Sequence, residues 1–446
     1  MNRYNRIMLI YIISLLWLLT AFYAGYKKPA YSLPFLISLQ LLVPYTIKFN
    51  LGISMNIFNL SVMLFMVLSY RHIHKGQKCI TDITRFLKLY FIYVVLYSFA
   101  AYVGVYPMSE YIQNMILFFF EFIGMAYCLS YVYVDRKSIR YFNIAILIAS
   151  VIIIVYGIIN YVLKFNAYVF FVSSVDNVGL DGANFFMEEQ RGFINGRVSS
   201  TFLHPLQLGQ AALILFTYIL YEFRKKINII IYSILLIGMV AMCVLCGSRS
   251  AIFPLVVSVL FYLRFLKMRV MVKYISIAAI AIAVYYPTMS HNVQNTIKAM
   301  IFVWDEKASE KADIHGSSIS MRTNQYENAL GVVRDNPLFG FGKGYVDRHG
   351  QEHKEMLGYE SFVLKEIVDG GVIGLLAFIV FYFSLYKAFL RQTKKSVERA
   401  RIHSQWMSFL ISISLTGITY SFFSMFLVFS FISYYSMLNT RQQQTK

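Results

Sequence analysis

Runs of apolar residues long enough to cross a lipid bilayer recur from one end of this chain to the other, and no other feature constrains its fold so tightly. Ile7 to Tyr26, Tyr111 to Val134, Tyr141 to Leu163, Ile227 to Cys246 and Val270 to Tyr286 each suit a helix through about 30 Å of hydrocarbon. Inside lipid every backbone N–H and C=O must be satisfied internally, and helices of this length do so. With 58% hydrophobic and 14% charged residues over 446 positions, the apolar side chains exceed what one water-soluble globule can hide. The first run is too long for a removed signal peptide and lacks a small-residue cleavage site. The fold class that follows is an all-α polytopic membrane protein.

The distribution of charge orients the helices. The net charge of +19 is not a nucleic-acid footprint, because the short loops 71–88, 135–140, 222–227, 264–273 and 387–401 hold 21 of the 41 Lys and Arg, on alternate sides of successive spans. The opposite loops are neutral or acidic: 106–110 carries no base, 164–205 has three against four acids, and 289–360 has eight against ten. The positive-inside bias therefore places 164–205 and 289–365 outside the cytoplasm, as extracytoplasmic loops of a single membrane domain covering 1–446. Further spans read at 51–70, 86–105, 206–222, 250–266 and 366–390. Pro34 and Pro44 break the run 31–48, and treating it as a re-entrant or joined element keeps the Arg3/Arg6 end inside. The 32-residue run 405–436 is long for one crossing and has room to fold as a hairpin around Thr416-Gly417. The expectation is about 12 helices with both ends cytoplasmic, and short helices in the loop 289–365.

Motifs for soluble cofactors are missing. There is no Walker-type phosphate loop and no Asp-x-Asp pair to hold a divalent ion against a nucleotide sugar. The glycine-rich Phe339 to Gly344 follows no strand and reads as a tight turn. Cys243-x-x-Cys246 reads as small helix-packing residues, since no second Cys/His pair accompanies it; Cys79 and Cys128 also lie in or beside spans. Glu121, in the middle of an apolar run, either serves function, pairs with an Arg or hydroxyl of a neighbouring helix, or stays protonated. The outer segments carry Arg191, Arg197, Arg249, Arg322, Arg334 and Arg348. A single Arg at a membrane boundary is commonly a snorkelling anchor, whereas several converging on one cavity bind phosphate, because the guanidinium fork matches phosphate oxygens.

An ordered set of motifs carries a resemblance. Gly196-Arg197 precedes Thr201-Phe202-Leu203-His204-Pro205; Gly247-Ser248-Arg249-Ser250 opens a span; Arg322, Tyr326 and Ala329 precede Asn336-Pro337-Leu338-Phe339-Gly340-Phe341-Gly342; and Glu360-Ser361-Phe362-Val363-Leu364 precedes Gly370-Gly371-Val372-Ile373-Gly374. In that order and spacing the chain resembles the O-antigen polymerase and O-antigen ligase superfamily of bacterial membrane glycosyltransferases, specifically over about 197–374. The resemblance implies a GT-C-like membrane fold and transfer of a glycan from a polyprenyl diphosphate to a sugar hydroxyl, without nucleotide sugar, metal or other cofactor. The leaving diphosphate gains charge as the glycosidic bond breaks, so fixed cations in a water-poor cleft favour the transition state over the ground state. Arg197, Arg249 and Arg322 stand at the family's motif positions and are the candidates for that task.

The acceptor hydroxyl needs a base. In the ligases that base is associated with a His opening a His-Asn-x-Tyr-Leu element; Glu360 stands there in this chain, which favours the polymerase branch. Secondary candidates are Arg191, His204 beside Pro205, Tyr345 and Tyr359 as stacking platforms for sugar, and His349 and His353 as alternative bases. The implied partners are a polyprenyl-diphosphate-linked oligosaccharide as donor and acceptor, membrane lipids and a chain-length regulator, with no nucleic acid. The implied location is the bacterial inner membrane, with the site facing the periplasm, and the product is O-antigen, capsule or a related polysaccharide. The rival readings are an O-antigen ligase, which needs a second acceptor, and a lipid-linked glycan flippase, which calls for deep charges in several helices and internal repeats.

Overall fold

The computed structural model describes residues 3–43, 48–50, 54–75, 80–102, 107–168, 190–191, 194–224, 226–263, 286–288, 319–346, 361–416 and 420–444, with isolated positions between 272 and 294. Its helices are α1 (Arg3–Gly25), α2 (Leu33–Leu42), α3 (Ile57–His74), α4 (Thr81–Tyr102), α5 (Met108–Phe118), α6 (Met125–Leu129), α7 (Arg136–Leu163), α8 (Pro205–Glu222), α9 (Ile229–Leu245), α10 (Arg249–Leu263), α11 (Ile319–Val333), α12 (Phe362–Arg391), α13 (Ser396–Leu415) and α14 (Tyr420–Gln444). Two short antiparallel hairpins, Lys48–Asn50 with Ser54–Asn56 and Gln190–Arg191 with Ile194–Asn195, are the strands among the described residues. Among the described residues, Thr81–Tyr102, Met108–Leu129, Arg136–Leu163, Phe362–Arg391 and Phe422–Gln442 are long and apolar enough to cross a membrane. The chain is an all-α multi-pass membrane protein.

Polar side chains start the helices where the sequence leaves the apolar register. Asp135 accepts from the Ser138 amide at 2.8 Å to cap α7, Asn56 from the Asn59 amide at 2.8 Å to cap α3, and Asn228 from the Ile230 amide at 2.8 Å to cap α9. α7 carries Ile144, Ile148, Val151, Val155 and Val162 exposed along its length, a surface that only lipid accommodates. α14 is the opposite case, with 94% of its apolar stretch buried, so it is a central post around which the other helices stand. Aromatic rings fill the space about it: Phe122 stacks on Phe423 at 4.3 Å, Phe409 on Phe426 at 4.0 Å, and Tyr90 on Phe381 at 4.0 Å.

The helix ends sort onto two faces. One is the basic face, where Lys226 and Arg401 meet Glu222, Arg441 meets Glu398, and Tyr133 donates to Asn439 at 2.6 Å near the end of α14. Gly25 lies against Leu68 near the end of α3, and Lys28 pairs with Asp135 at 3.0 Å, so the end of α1 is also on this face. α1, about 34 Å long, therefore begins on the opposite face, which corrects the expectation that both ends are cytoplasmic. The reason lies in the segment 31–48. α2 has ten residues, about 15 Å, and rises from the basic face beside α7; the hairpin 48–56 then returns the chain to α3. A short helix joined to extended chain thus changes the parity of the N-terminal half, and the Arg3/Arg6 pair yields to the bias of the many basic residues in the other loops. The long run 405–436 divides as expected, with α13 ending at Leu415 and α14 starting at Tyr420.

Candidate functional site

Opposite the basic face, the segment 196–203 dips between α2, α7 and the α9–α10 turn. Its backbone explains how. Gly196 has φ +84° and Ser200 φ +50°, two left-handed positions that let a short stretch reverse twice. Val198 donates its amide to Leu245 O at 3.0 Å, which ties the segment to the end of α9. Asn166 holds the Ser199 hydroxyl at 3.0 Å and Ser200 O at 2.8 Å; the Ser200 hydroxyl donates to Ile153 O at 2.8 Å and the Thr201 hydroxyl to Leu41 O at 2.9 Å. The polar residues at the mouth of α8 therefore satisfy backbone carbonyls of buried helices, and every hydroxyl of Ser199-Ser200-Thr201 is engaged.

Arg197 lies in this web and is 3% exposed. Its Nε donates to Cys246 O at 3.0 Å. Its stem runs over Gly247, where φ is +64° and where an added Cβ would come within 3.3 Å of Arg197 Cγ. Gly247 leads through Ser248 into Arg249, the first residue of α10. The structure thus joins two of the motif segments, Gly196-Arg197 and Gly247-Ser248-Arg249-Ser250, into one junction at a helix N-terminus, where amide dipoles favour an anion. The Ser248 and Ser250 hydroxyls bond each other at 2.6 Å across the turn. Cys243 and Cys246 are buried behind it, and an added Cβ on Gly209 would lie 2.9 Å from Cys246 Sγ, so this Cys-x-x-Cys is helix packing.

The other candidates fall as follows. His204 is the N-cap of α8, with Nδ1 accepting from the Leu206 amide at 3.0 Å and Pro205 in the first turn. Arg322 belongs to α11, and Arg191 to the hairpin 190–195; the described residues do not extend to their side chains. His349, His353, Tyr359 and Glu360 lie outside the described residues, as does Cys79. Tyr345, a sugar-stacking candidate, is instead buried, stacked on Phe341 at 4.7 Å in a small core with Ala329 of α11 and Val368 of α12.

That core belongs to a second arrangement which the sequence reading passed over. α12 breaks at Gly371, with φ 60° and ψ −162°. The turn 336–346 docks into the break: Phe341 donates to Val368 O at 3.0 Å, Gly342 to Asp369 O at 2.8 Å, and in return Val372 donates to Pro337 O at 3.0 Å. The Asp369 carboxylate accepts the amides of Gly344 and Val346 at 2.9 and 3.0 Å. An added Cβ at Gly340 would lie 2.4 Å from Val368 O and one at Gly371 2.5 Å from Leu338 O, so the close backbone approach requires these glycines. Lys343 enters the bundle beside them, 1% exposed, paired with the buried Glu366, its Nζ 5.4 Å from the Phe118 ring. Phe339 to Gly344 is thus a turn, as its spacing implies, but one that carries a buried ion pair. The lysine within a glycine run was the available signal.

Glu121 has an unforeseen partner set. It sits in a π-helical turn, Phe119–Gly124, and accepts from the carboxamides of Asn56 and Asn59 at 3.1 and 3.2 Å.

The fold and this junction define a polytopic helical membrane protein with buried arginine and a helix N-terminus on the face opposite its basic loops. Residues 234–379 match the model of the O-antigen ligase family. This stretch, from α9 through Arg249, α11 and the docked turn into α12, supports the likeness to the O-antigen polymerase and ligase superfamily, and Arg197 precedes it in the chain. The match implies a glycosyltransferase-type enzyme of O-antigen assembly that acts on lipid-linked oligosaccharide in a membrane. No curated protein matches the chain.

Proposed function

We propose that this protein is a polymerase of lipid-linked repeat units. It transfers a glycan from polyprenyl diphosphate to a sugar hydroxyl of a second lipid-linked unit, on the periplasmic side of the inner membrane. The observation that carries the reading is the junction of Arg197 with the Gly247-Ser248-Arg249 turn, a buried guanidinium beside a helix N-terminus. The acceptor oxygen attacks the anomeric carbon, the bond to the diphosphate breaks, and the acceptor proton passes to the Glu360 carboxylate. Arg197, Arg249 and Arg322 take up the charge of the leaving diphosphate, and a single displacement inverts the anomeric centre. Glu360 immediately precedes Ser361, the N-cap of α12, in the sequence.

Purified protein given one lipid-linked repeat unit alone is expected to make a ladder of products. No ladder alone but one product on adding a second acceptor identifies a ligase, the reading that the matched family's description favours. No covalent product in either case leaves a carrier. Glu360→Gln keeps shape but cannot take the proton, so near wild-type polymerisation by a folded E360Q protein removes Glu360 from the chemistry.

A further inference from the structure

Between α1, α2 and α7 runs an apolar groove of about 460 Å³. It is concave because Ala145 and Ala149 of α7 face the short α2, and because Trp17 of α1 is held back by its Nε1 bond to Phe35 O at 2.9 Å. Beside the Trp17 indole and the Tyr31 and Tyr141 phenols, Ser38 is a polar side chain among its walls, and its hydroxyl is turned to Pro34 O at 2.6 Å. Ile144 and Ile148 at the rim are exposed, so the groove opens to lipid. At one end Tyr31 and Tyr141 lie 5.9 Å apart, with Lys28 and Lys137 over their rings, which marks the basic interface. At the other end stand Leu42 and Ile152, about 16 Å further along α7.

That far end adjoins the segment that carries Arg197, because the neighbours in sequence of Leu42 and Ile152 bond its hydroxyls. Leu41 O accepts from Thr201, Leu42 O from Tyr168 at 2.5 Å, and Ile153 O from Ser200. We propose that the groove receives the isoprenoid chain of the donor whose diphosphate binds at the junction, a proposal that rests on the polymerase reading above. Within lipid the groove offers no hydrophobic gain over the bilayer itself, so its contribution is packing and position. A chain lying there fixes where the diphosphate sits relative to Arg197 and Arg249, which removes orientational freedom before the reaction. A phospholipid entering from the basic face fills the same walls but presents no group at the junction.

The test uses full-length protein in lipid nanodiscs with two donors that share one glycan, one on a long polyprenyl diphosphate and one on a short isoprenoid diphosphate. Wild type is expected to prefer the long donor by about ten-fold or more in kcat/KM, and A145F, which fills the groove, to bring the ratio close to one. A wild-type ratio near one overturns the groove and leaves the polymerase reading intact, whereas no turnover of either donor counts against that reading instead. A second measurement needs no turnover: a polyprenyl diphosphate with a diazirine on its isoprenoid chain is photolysed with wild type and the labelled peptides are mapped. Label on α2 and on Tyr141 to Ile152 that unlabelled polyprenyl diphosphate displaces and phosphatidylethanolamine does not is the expected result. Equal displacement by both means that bulk lipid fills the groove and overturns the proposal.

Discussion

Two buried arginines on opposite faces of the bundle meet different partners. On the basic face Arg401 Nη1 meets a carboxylate, Glu222 Oε2, at 2.7 Å, and the same carboxylate takes Lys226, the Ser436 hydroxyl at 2.9 Å and the Asn143 carboxamide at 3.1 Å. Helices α7, α8, α13 and α14 converge there. On the other face Arg197 Nε meets a backbone carbonyl, Cys246 O, over a glycine, in a segment held by carbonyls and left-handed residues. The first arrangement brings a buried charge and its counter-charge together and holds four helices. The second is built from backbone, which holds a guanidinium in position while the main-chain acceptor adds no opposing net charge. The difference is one of construction: on the basic face acid and base meet in one place and tie helices together, and on the other face main chain positions the guanidinium, the arrangement on which the proposed diphosphate site rests.

The comparison breaks first at Glu222. Glu222→Ala leaves Arg401 and Lys226 without their carboxylate and is expected to lower unfolding stability by about 3–5 kcal/mol, the scale of an uncompensated buried charge. Denaturation of the protein in detergent checks it, and an E222A/R401M pair is expected to recover part of the loss. At the junction the effect should move from stability to rate. Arg197→Ala is expected to fold and to lose about 2–4 kcal/mol of transition-state stabilisation in the polymerisation assay, with Lys restoring only part because a point charge replaces a fork. If R197A unfolds like E222A and shows no separate loss of rate, the two arginines are alike and the distinction fails.

Gly247 sharpens the contrast. An Ala there must adopt φ +64° and meet the Arg197 stem, so Gly247→Ala is expected to cost about 1–2 kcal/mol of stability and to lower kcat by displacing Arg197. Unchanged kcat with lowered stability makes the glycine a turn residue only. The smallest effect is electrostatic and lies on the basic face at Asp135. Burial pushes this carboxyl up, but the Ser138 hydroxyl and amide and Lys28 outweigh it and hold it below its ordinary value. A depressed carboxyl contributes stability that is present above its unfolded value and lost as pH falls through the folded one. The difference in Tm between wild type and Asp135→Asn is therefore expected to be flat at neutral pH and to shrink below about pH 4. A difference that grows on acidification contradicts the Lys28–Asp135 pairing that places the end of α1.

Hydropathy made the helical membrane fold legible, because lipid forces long apolar segments to satisfy their own backbone. The division of 405–436 at its Thr-Gly step and the turn at Phe339 to Gly344 were legible for the same kind of reason, as local chain preference. The parity of the N-terminal half was not. A ten-residue α2 and a run that spans look alike in composition, and only the contacts of Gly25 with Leu68 and Lys28 with Asp135 tell them apart. Buried partners were equally hidden: spacing announces neither Lys343 with Glu366, nor the two asparagines on Glu121, nor the carbonyls of Ile153 and Leu41 that accept from Ser200 and Thr201.

By itself the sequence determined that this chain crosses a membrane many times as helices and that its bases gather on one face, because hydrophobicity and charge act locally along the chain. The tertiary structure alone decided that Arg197 rests on the turn before Arg249, that α12 opens to receive a glycine turn, and that α1 begins opposite the basic face. The first two depend on main-chain groups of segments distant in sequence, and backbone carbonyls and amides are the same at every position, so no residue pattern announces which of them will meet; the third depends on side chains, Lys28 with Asp135 and Leu68 against Gly25, whose meeting spacing does not announce either.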